Sequence, residues 1–506
     1  MITESRDYQP ALPAALYRAA AVRELDRRAI EDHGIPGMTL MERAGAAVFS
    51  AIGDHLSASG HMTVLCGGGN NGGDGCVIAR LAQEAGWTVR LCLHGDPDKL
   101  KGDALTAWER AVAAGVEAGA FVPGEMAASD VIVDAMLGTG LDREVSGELA
   151  EWIEAVNGSD VPVIAVDIPS GLHADSGRIL GIAVEASLTV SFIGLKVGLL
   201  TGEGRACTGR LQFADLEVPA AVYEYLSPAA RRIDYTDVYG WLQPRRSTAH
   251  KGYFGHVLIV GGDSGFAGAA RMAGEAAARV GSGLVSLATQ ASHAAVIAQQ
   301  RPELMVHGVN DPVDLAPLLE RATVVAIGPG LGQGEWGTRL LGAVLDSSLP
   351  LVVDADALNL LAGEPVARDN WILTPHPGEA ARLLATTTAD IQSDRPTAVD
   401  ALVKRYGGTS VLKGSGTLIG AVATVPALCT DGNPGMAAGG MGDILTGVLA
   451  GLLAQREALG LKRQQVAELG VCLHAAAADA AAGASGERGL LATDLLPHLQ
   501  RLVNPD

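Results

Sequence analysis

From Met62 onward, short apolar runs alternate with stretches in which apolar residues recur at i, i+3 and i+4. TVLC, TVRLCL, VIVDAML and VPVIAVDIPSG read as strands, with helical patterns between them. That alternation predicts a parallel sheet covered by helices on both faces. Ahead of it, AAVRELDRRAIEDHG and MTLMERAGAAVFSAI predict two amphipathic helices around the turn IPG. Near Val218 the pattern stops, and a segment richer in Tyr, Pro and Arg follows. It then restarts with HVLIVGGDSGFAGAARMAGEAAARVGSGLVSLAT, and later strands end in VVAIGPGLG, LVVDADALNL, WILTPHPGEAARLL and SVLKGSGT. The expectation is an α/β chain of two domains, residues 1–222 and 245–506, joined by a linker over 223–244.

With 506 residues, 48% of them apolar, the chain has ample material for buried cores. A formal charge of -20 argues against nucleic acid and anionic membrane as partners, because both are bound by net basic surface. Small anions remain open to it, since loop amides can hold them. Six cysteines without C-x-x-C spacing suggest neither a zinc site nor a disulfide framework, and a reducing cytoplasm fits them best. The start, MITESRDYQPALPAALYRAA, carries Glu4 and Asp7 and lacks a basic segment followed by an apolar core. No apolar run approaches 18 residues. No export signal and no membrane span are therefore expected.

The densest chemistry lies at predicted strand ends, where open α/β sheets bind ligands. GGGNNGGDG satisfies G-x-G-x-x-G through Gly67, Gly69 and Gly72, and Asp96 lies about 20 residues on, so a dinucleotide dehydrogenase is a live reading. Yet Asn70, Asn71 and Asp74 crowd the turn with amides and a carboxylate, where that fingerprint uses small positions. A tight turn with an Asx cap is the plainer alternative. VDAMLGTG and DIPSG add Asp134, Asp167 and Ser170. Each aspartate alone reads as a helix cap, but together with Asn71 they make a set of hard oxygen donors for a monovalent or divalent cation, with a carboxylate to spare for proton transfer. In the second half, GGMGD predicts backbone amides at a helix start for a developing phosphate, with Asp443 as a base and Lys413 in VLKGSGT as a phosphate partner. Close helix packing and a solvated lysine are the alternatives. His376, between two prolines, reads as a turn residue or a ligand contact.

These motifs resemble a known family. GGGNNGGDG, VDAMLGTG and DIPSG look like the NAD(P)HX epimerase domain, with a Rossmann-like sheet. KGYFGHVLIVGG, GPGLG, LTPHPGE, VLKGSGT and GNPGMAAGGMGDILTG look like the ADP- or ATP-dependent NAD(P)HX dehydratase, a ribokinase-like fold. In this order on one chain, over roughly residues 20 to 502, they are similar to the bacterial bifunctional NAD(P)H-hydrate repair enzymes. One departure is Ala438, where the family more often carries Thr.

The resemblance implies that Asn70, Asn71, Gly72, Gly73 and Asp74, with Gly138, Thr139, Gly140, Leu141, Asp142, Arg143 and Glu144, contact the hydrated nucleotide. It makes Asp167 the acid or base, and it has Asn71, Asp134 and Ser170 hold a potassium ion. In the other half it implies that Ala269, Gly330, His376 and Asp443 face the hydrate, while Lys413, Gly414, Ser415, Gly416, Thr417 and Gly442 face the adenine nucleotide. ADP or ATP would be the phosphoryl donor, with Mg2+, NADHX and NADPHX the substrates, and the assembly a homo-oligomer. Two rival readings are a dehydrogenase fused to a ribokinase-like small-molecule kinase, and a non-catalytic nucleotide sensor.

Overall fold

A computed structural model describes residues 12–55 and 59–504. The chain divides between Ala230 and Arg231 into two units.

In the first unit the runs that read as strands are strands. They are β1 (His61–Cys66), β2 (Thr88–Leu93), β3 (Glu117–Gly119), β4 (Val131–Ala135), β5 (Val163–Val166), β6 (Leu188–Phe192) and β7 (Arg210–Ala214), in the order β3-β2-β1-β4-β5-β6-β7. Every pairing is parallel. β4, β5 and β6 are buried along their whole length, as strands covered on both faces must be, and β4 and β5 accordingly run mostly to Val and Ile. The strand order reverses at β1, so the crevice beyond the carboxyl ends of β1 and β4 is where a ligand belongs. The two amphipathic helices form at Ala19–Glu31 and Gly37–Gly53.

Two features differ from expectation. The helix after β1 starts at Asn70 and swallows most of the glycine loop. A two-residue strand at Leu195–Lys196 pairs in parallel with Ala15–Tyr17, setting Tyr17 beside Lys196.

The second unit continues with β8 (Ala230–Ile233), β9 (His256–Val260), β10 (Leu284–Thr289), β11 (Met305–Gly308), β12 (Val324–Ile327), β13 (Leu351–Val353), β14 (Trp371–Leu373), β15 (Thr409–Leu412), β16 (Thr417–Ala421) and β17 (Ala427–Cys429). Their order is β11-β10-β9-β12-β13-β14-β15-β16-β17-β8. It is parallel from β11 to β15, then antiparallel through β16 and β17. The stretch expected as a linker is built structure: a 3-10 turn at Ala220–Tyr225, β8 paired with β17, and a helix at Tyr235–Val238. Helices Ala267–Arg279, Met441–Ala454 and Arg463–Ser485 fill the core against the sheet. The last is long and apolar enough to cross a membrane by length and composition, but most of it is buried in this core, Glu468 and His474 included. All six cysteines are free and buried.

Candidate functional sites

A cavity of about 610 Å³ opens at the crevice of the first sheet. Its floor comes from the start of the Asn70 helix, where Gly68, Gly69, Asn70, Asn71 and Asp74 face it, and from the 138–143 loop after β4. Gly72 and Gly73 do not line it. A Cβ on Gly72 would stand 1.8 Å from the Gly67 carbonyl oxygen, and one on Gly73 would strike Met41, so these glycines let the helix seat against the end of β1 and the helix Gly37–Gly53. Glu144 is exposed beyond the lining, and Asp96 caps a 3-10 turn through the Asp98 amide (3.0 Å), away from the cavity.

Asp134 and Ser170 meet as expected. The Ser170 amide donates to Asp134 Oδ2 (2.7 Å) and the Ser170 hydroxyl to Oδ1 (2.5 Å). The Met136 amide adds a bond of 3.2 Å to Oδ1. Ser170 Oγ also accepts from the Leu137 amide (2.8 Å), while Asn71 Nδ2 donates to the Leu137 carbonyl (3.2 Å). Asp134 is fully buried, and burial lifts its carboxyl to about 6 against these hydrogen bonds. A buried carboxylate held only by neutral donors, with hydroxyl, amide and carbonyl oxygens around it, is a fit for a hard cation.

Asp167 ends β5 with φ 67°, a left-handed backbone that a carboxylate residue tolerates better than most, and Ile193 across the cavity has φ 57°, where a β-branched residue is strained. The residue the sequence reading missed is Lys196. Fully buried, it donates to Asp167 Oδ1, to Ser191 Oγ (3.2 Å) and to the Phe192 carbonyl (3.1 Å), while the Phe192 amide donates to the same Asp167 oxygen (3.1 Å). A lone lysine in the apolar run FIGLKVGLL was the available signal. Asp26 also lines the cavity. Burial and then the Asp167 charge raise its carboxyl above the ordinary range; burial, Asp167 and Asp26 raise Asp74 well above it.

In the second unit the expected residues gather at the carboxyl ends of β9 and β12–β15. Asp354, which follows β13, was noted only as part of a strand-end cluster, yet it is the hub. It is buried and accepts from Thr374 Oγ1 (2.8 Å), Thr446 Oγ1 (2.8 Å) and Lys413 Nζ (2.7 Å). Lys413 also faces Glu379 (3.8 Å), so it is neither solvated nor free. Burial opposes its charge, but Asp354, Glu379 and Asp443 outweigh that and raise its pKa.

Asp443 stands in the first turn of the Met441–Ala454 helix, after Gly440, whose φ of 91° turns the chain into the helix axis. Its carboxyl accepts no hydrogen bond among the described residues. Burial first, then Asp354, push it up to about 7, with Lys413 opposing.

His376 caps its helix through Nδ1, which accepts from the Gly378 amide (3.0 Å), and the Glu379 carboxylate accepts from the His376 amide (2.8 Å) in return. Its ring remains exposed at the site's edge. Gly330 adjoins Ala269, a Cβ on the glycine falling 3.2 Å from the alanine's. The Lys413–Thr417 turn is fastened from behind by Arg395, another residue missed, which is buried and donates to the carbonyls of Leu412 (3.3 Å), Lys413 (3.3 Å) and Gly416 (3.2 Å). A second cavity of about 630 Å³, lined by Arg245, Arg279 and Tyr253, contains none of the expected residues.

Two doubly wound units with carboxylates and helix-start amides at their strand ends define a nucleotide-handling enzyme. The family described as YjeF-related protein N-terminus matches residues 37–198, and NAD(P)H-hydrate dehydratase matches residues 257–501. Among relatives, the bifunctional NAD(P)H-hydrate repair enzyme of Coxiella burnetii is 48% identical over 97% of this chain and 99% of its own. That of Escherichia coli is 44% identical over 98% and 95%. A ribokinase-like superfamily protein from Enterococcus faecalis is similar in structure, with TM-score 0.50 and 29% identity over 54% of this chain and 95% of that one. The chain belongs to the bifunctional NAD(P)H-hydrate repair enzyme family.

Proposed function

We propose that the first unit interconverts the R and S forms of hydrated NADH and NADPH, and that the second dehydrates the S form at the expense of an adenine nucleotide. The observation that carries this reading is the position of Asp443: a half-buried carboxyl that accepts no hydrogen bond among the described residues, beside Lys413 at a helix start, where burial and then Asp354 push it up to about 7. Hydroxide leaves a ring carbon poorly. Phosphorylation of that hydroxyl creates a better leaving group, and Asp443 would take its proton while the amides of Met441, Gly442 and Asp443 receive the transferring phosphate. Ala269, Gly330 and His376 would seat the hydrate.

The Lys413–Thr417 turn and Gly442 would hold the nucleotide. Lys413, committed to Asp354, places its charge beside the phosphates rather than gripping them alone. With ADP as donor, AMP and phosphate are released; Mg2+ would neutralise the phosphate charge when bound.

In the first unit the substrate is a carbinolamine, whose configuration is lost and regained by proton transfer, a task for Asp167 held by Lys196. Asn71, Asp134, Ser170 and the Leu137 carbonyl would hold potassium, whose charge would anchor the 138–143 loop over the substrate. The six unpaired, buried cysteines support a reducing compartment.

The test uses the intact protein with purified R and S hydrate, following absorbance of the restored reduced nucleotide. Restoration from S only with ADP or ATP, and R-to-S conversion without either, are the expected results. Hydride transfer to an unrelated substrate, with no turnover of hydrate, would favour the dehydrogenase-kinase fusion. Binding without any turnover would favour a sensor.

A further inference from the structure

The helix Ala19–Glu31 precedes the doubly wound sheet and buries Leu25 and Ala29 in its core, and Val22, Arg23, Asp26 and Ile30 on the same helix form a wall of the first unit's cavity. Arg23 donates to the Thr139 carbonyl (3.2 Å), tying that wall to the 138–143 loop. The carboxylates of Asp26 and Asp74 receive no hydrogen bond and no ion pair among the described residues, although both are half-buried. Asp167 is their opposite: a buried ammonium, an amide and a hydroxyl all donate to it, so it is equipped to accept. A site with one carboxylate saturated by donors and another left bare has the makings of a base and an acid.

We propose that Asp26 is the general acid of the epimerase reaction, giving its proton to the hydroxyl on the ring carbon beside nitrogen. This rests on the reading of the first unit as an epimerase. The C–O bond breaks with its electron pair going to oxygen, which leaves as water. The ring nitrogen's lone pair closes a C=N bond, and the iminium cation lies among Asp26, Asp74 and Asp167. Water then adds to either face of the ring carbon, the Asp167 carboxylate accepts the proton it sheds, and exchange with solvent returns that proton to Asp26, so nothing is consumed. Burial and the Asp167 charge favour the protonated form of Asp26 before the hydroxyl leaves, and the same carboxylates favour a cation afterwards.

The experiment uses the full chain and its Asp26→Asn and Asp26→Glu variants, with R hydrate in water enriched in oxygen-18 and no adenine nucleotide. Parent enzyme should place one labelled oxygen in each inverted product. Asp26→Asn should slow inversion by about 10²- to 10⁴-fold, with Asp26→Glu within about tenfold of the parent and dehydration of S hydrate unchanged in both. Inversion by Asp26→Asn within a few-fold of the parent overturns the proposal, as does inversion without label. Loss of both activities in both variants also counts against it, as a structural role. Parent enzyme that inverts hydrate no faster than buffer would instead overturn the epimerase reading itself.

Discussion

Replacing Asp443 by Asn keeps its shape and its capacity to accept a hydrogen bond, but the amide cannot take a proton. The parent carboxyl, lifted by burial and Asp354 to about 7, is about nine-tenths ionised at pH 8 and about one-tenth at pH 6. If ionised Asp443 is the base, kcat/KM for nucleotide-dependent dehydration should fall about tenfold from pH 8 to pH 6 in the parent. In Asp443→Asn it should lie about 10²- to 10⁴-fold lower at pH 8, without that limb. Stability gives a second, opposite readout. A carboxyl whose pKa is raised on folding contributes fully below its unfolded value, and loses that contribution as pH rises through about 7. Above pH 7 the ionised group costs the fold on the order of a few kcal/mol, and the variant avoids that cost. Asp443→Asn should therefore melt at a higher temperature than the parent at pH 8, with the gap narrowing as pH falls below 7 and closing only below about 4. Single-turnover rates with S hydrate and ADP, beside melting curves at both pH values, decide the matter. A rate within a few-fold of the parent, or an intact limb near pH 7, would refute the assignment.

At constant ionic strength, potassium chloride should raise the parent's melting temperature above that in choline chloride. Asp134→Ala should abolish the gain and impair inversion while sparing dehydration, because it removes the only charged donor of the cation set. Lys196→Met leaves Asp167 without its buried cation and should cost about 3–5 kcal/mol in urea unfolding, part of which a second change, Asp167→Asn, should restore. Gly72→Ala should prevent stable folding of the first unit, since its Cβ would meet the Gly67 carbonyl at 1.8 Å, whereas Gly69→Ala, with nothing within 4 Å, should fold as the parent and weaken only hydrate binding, measured as KM.

Strands buried on both faces announce themselves as Val, Ile and Leu runs, and a polar residue ending such a run marks a strand end, so Asp134, Asp167, Lys413 and the sheets carrying them were legible. Asp26 was not, because Glu24, Asp26, Glu31 and Asp32 look alike along an amphipathic pattern, and only the fold decides which of them lines the cavity. Asp354 joins Lys413 and Thr446, 59 and 92 residues away, and no local pattern encodes that distance. The structured stretch from Ala220 to Trp241 was opaque for the same reason: β8 exists by pairing with β17, most of the unit's length away in sequence.

The glycine loops were found for a reason that the structure revises. Asn70 to Gly73 are poor helix formers, so the sequence reads them as a loop, yet packing winds them into a first helical turn. Gly72 and Gly73 give up helix propensity so that this turn can press against β1 and Met41, which leaves Gly68, Gly69 and Asn70 at the cavity with little side chain between amide and ligand. In the helix that bears Asp443, Gly440 supplies the left-handed turn into the first helical residue, and a Cβ on Gly442 would make ordinary contact, 3.5 Å, with both Lys413 Nζ and Asp354 Oδ2. At both sites a helix start stands close to a strand end, and the closeness of amide to carboxylate is what either reaction would use.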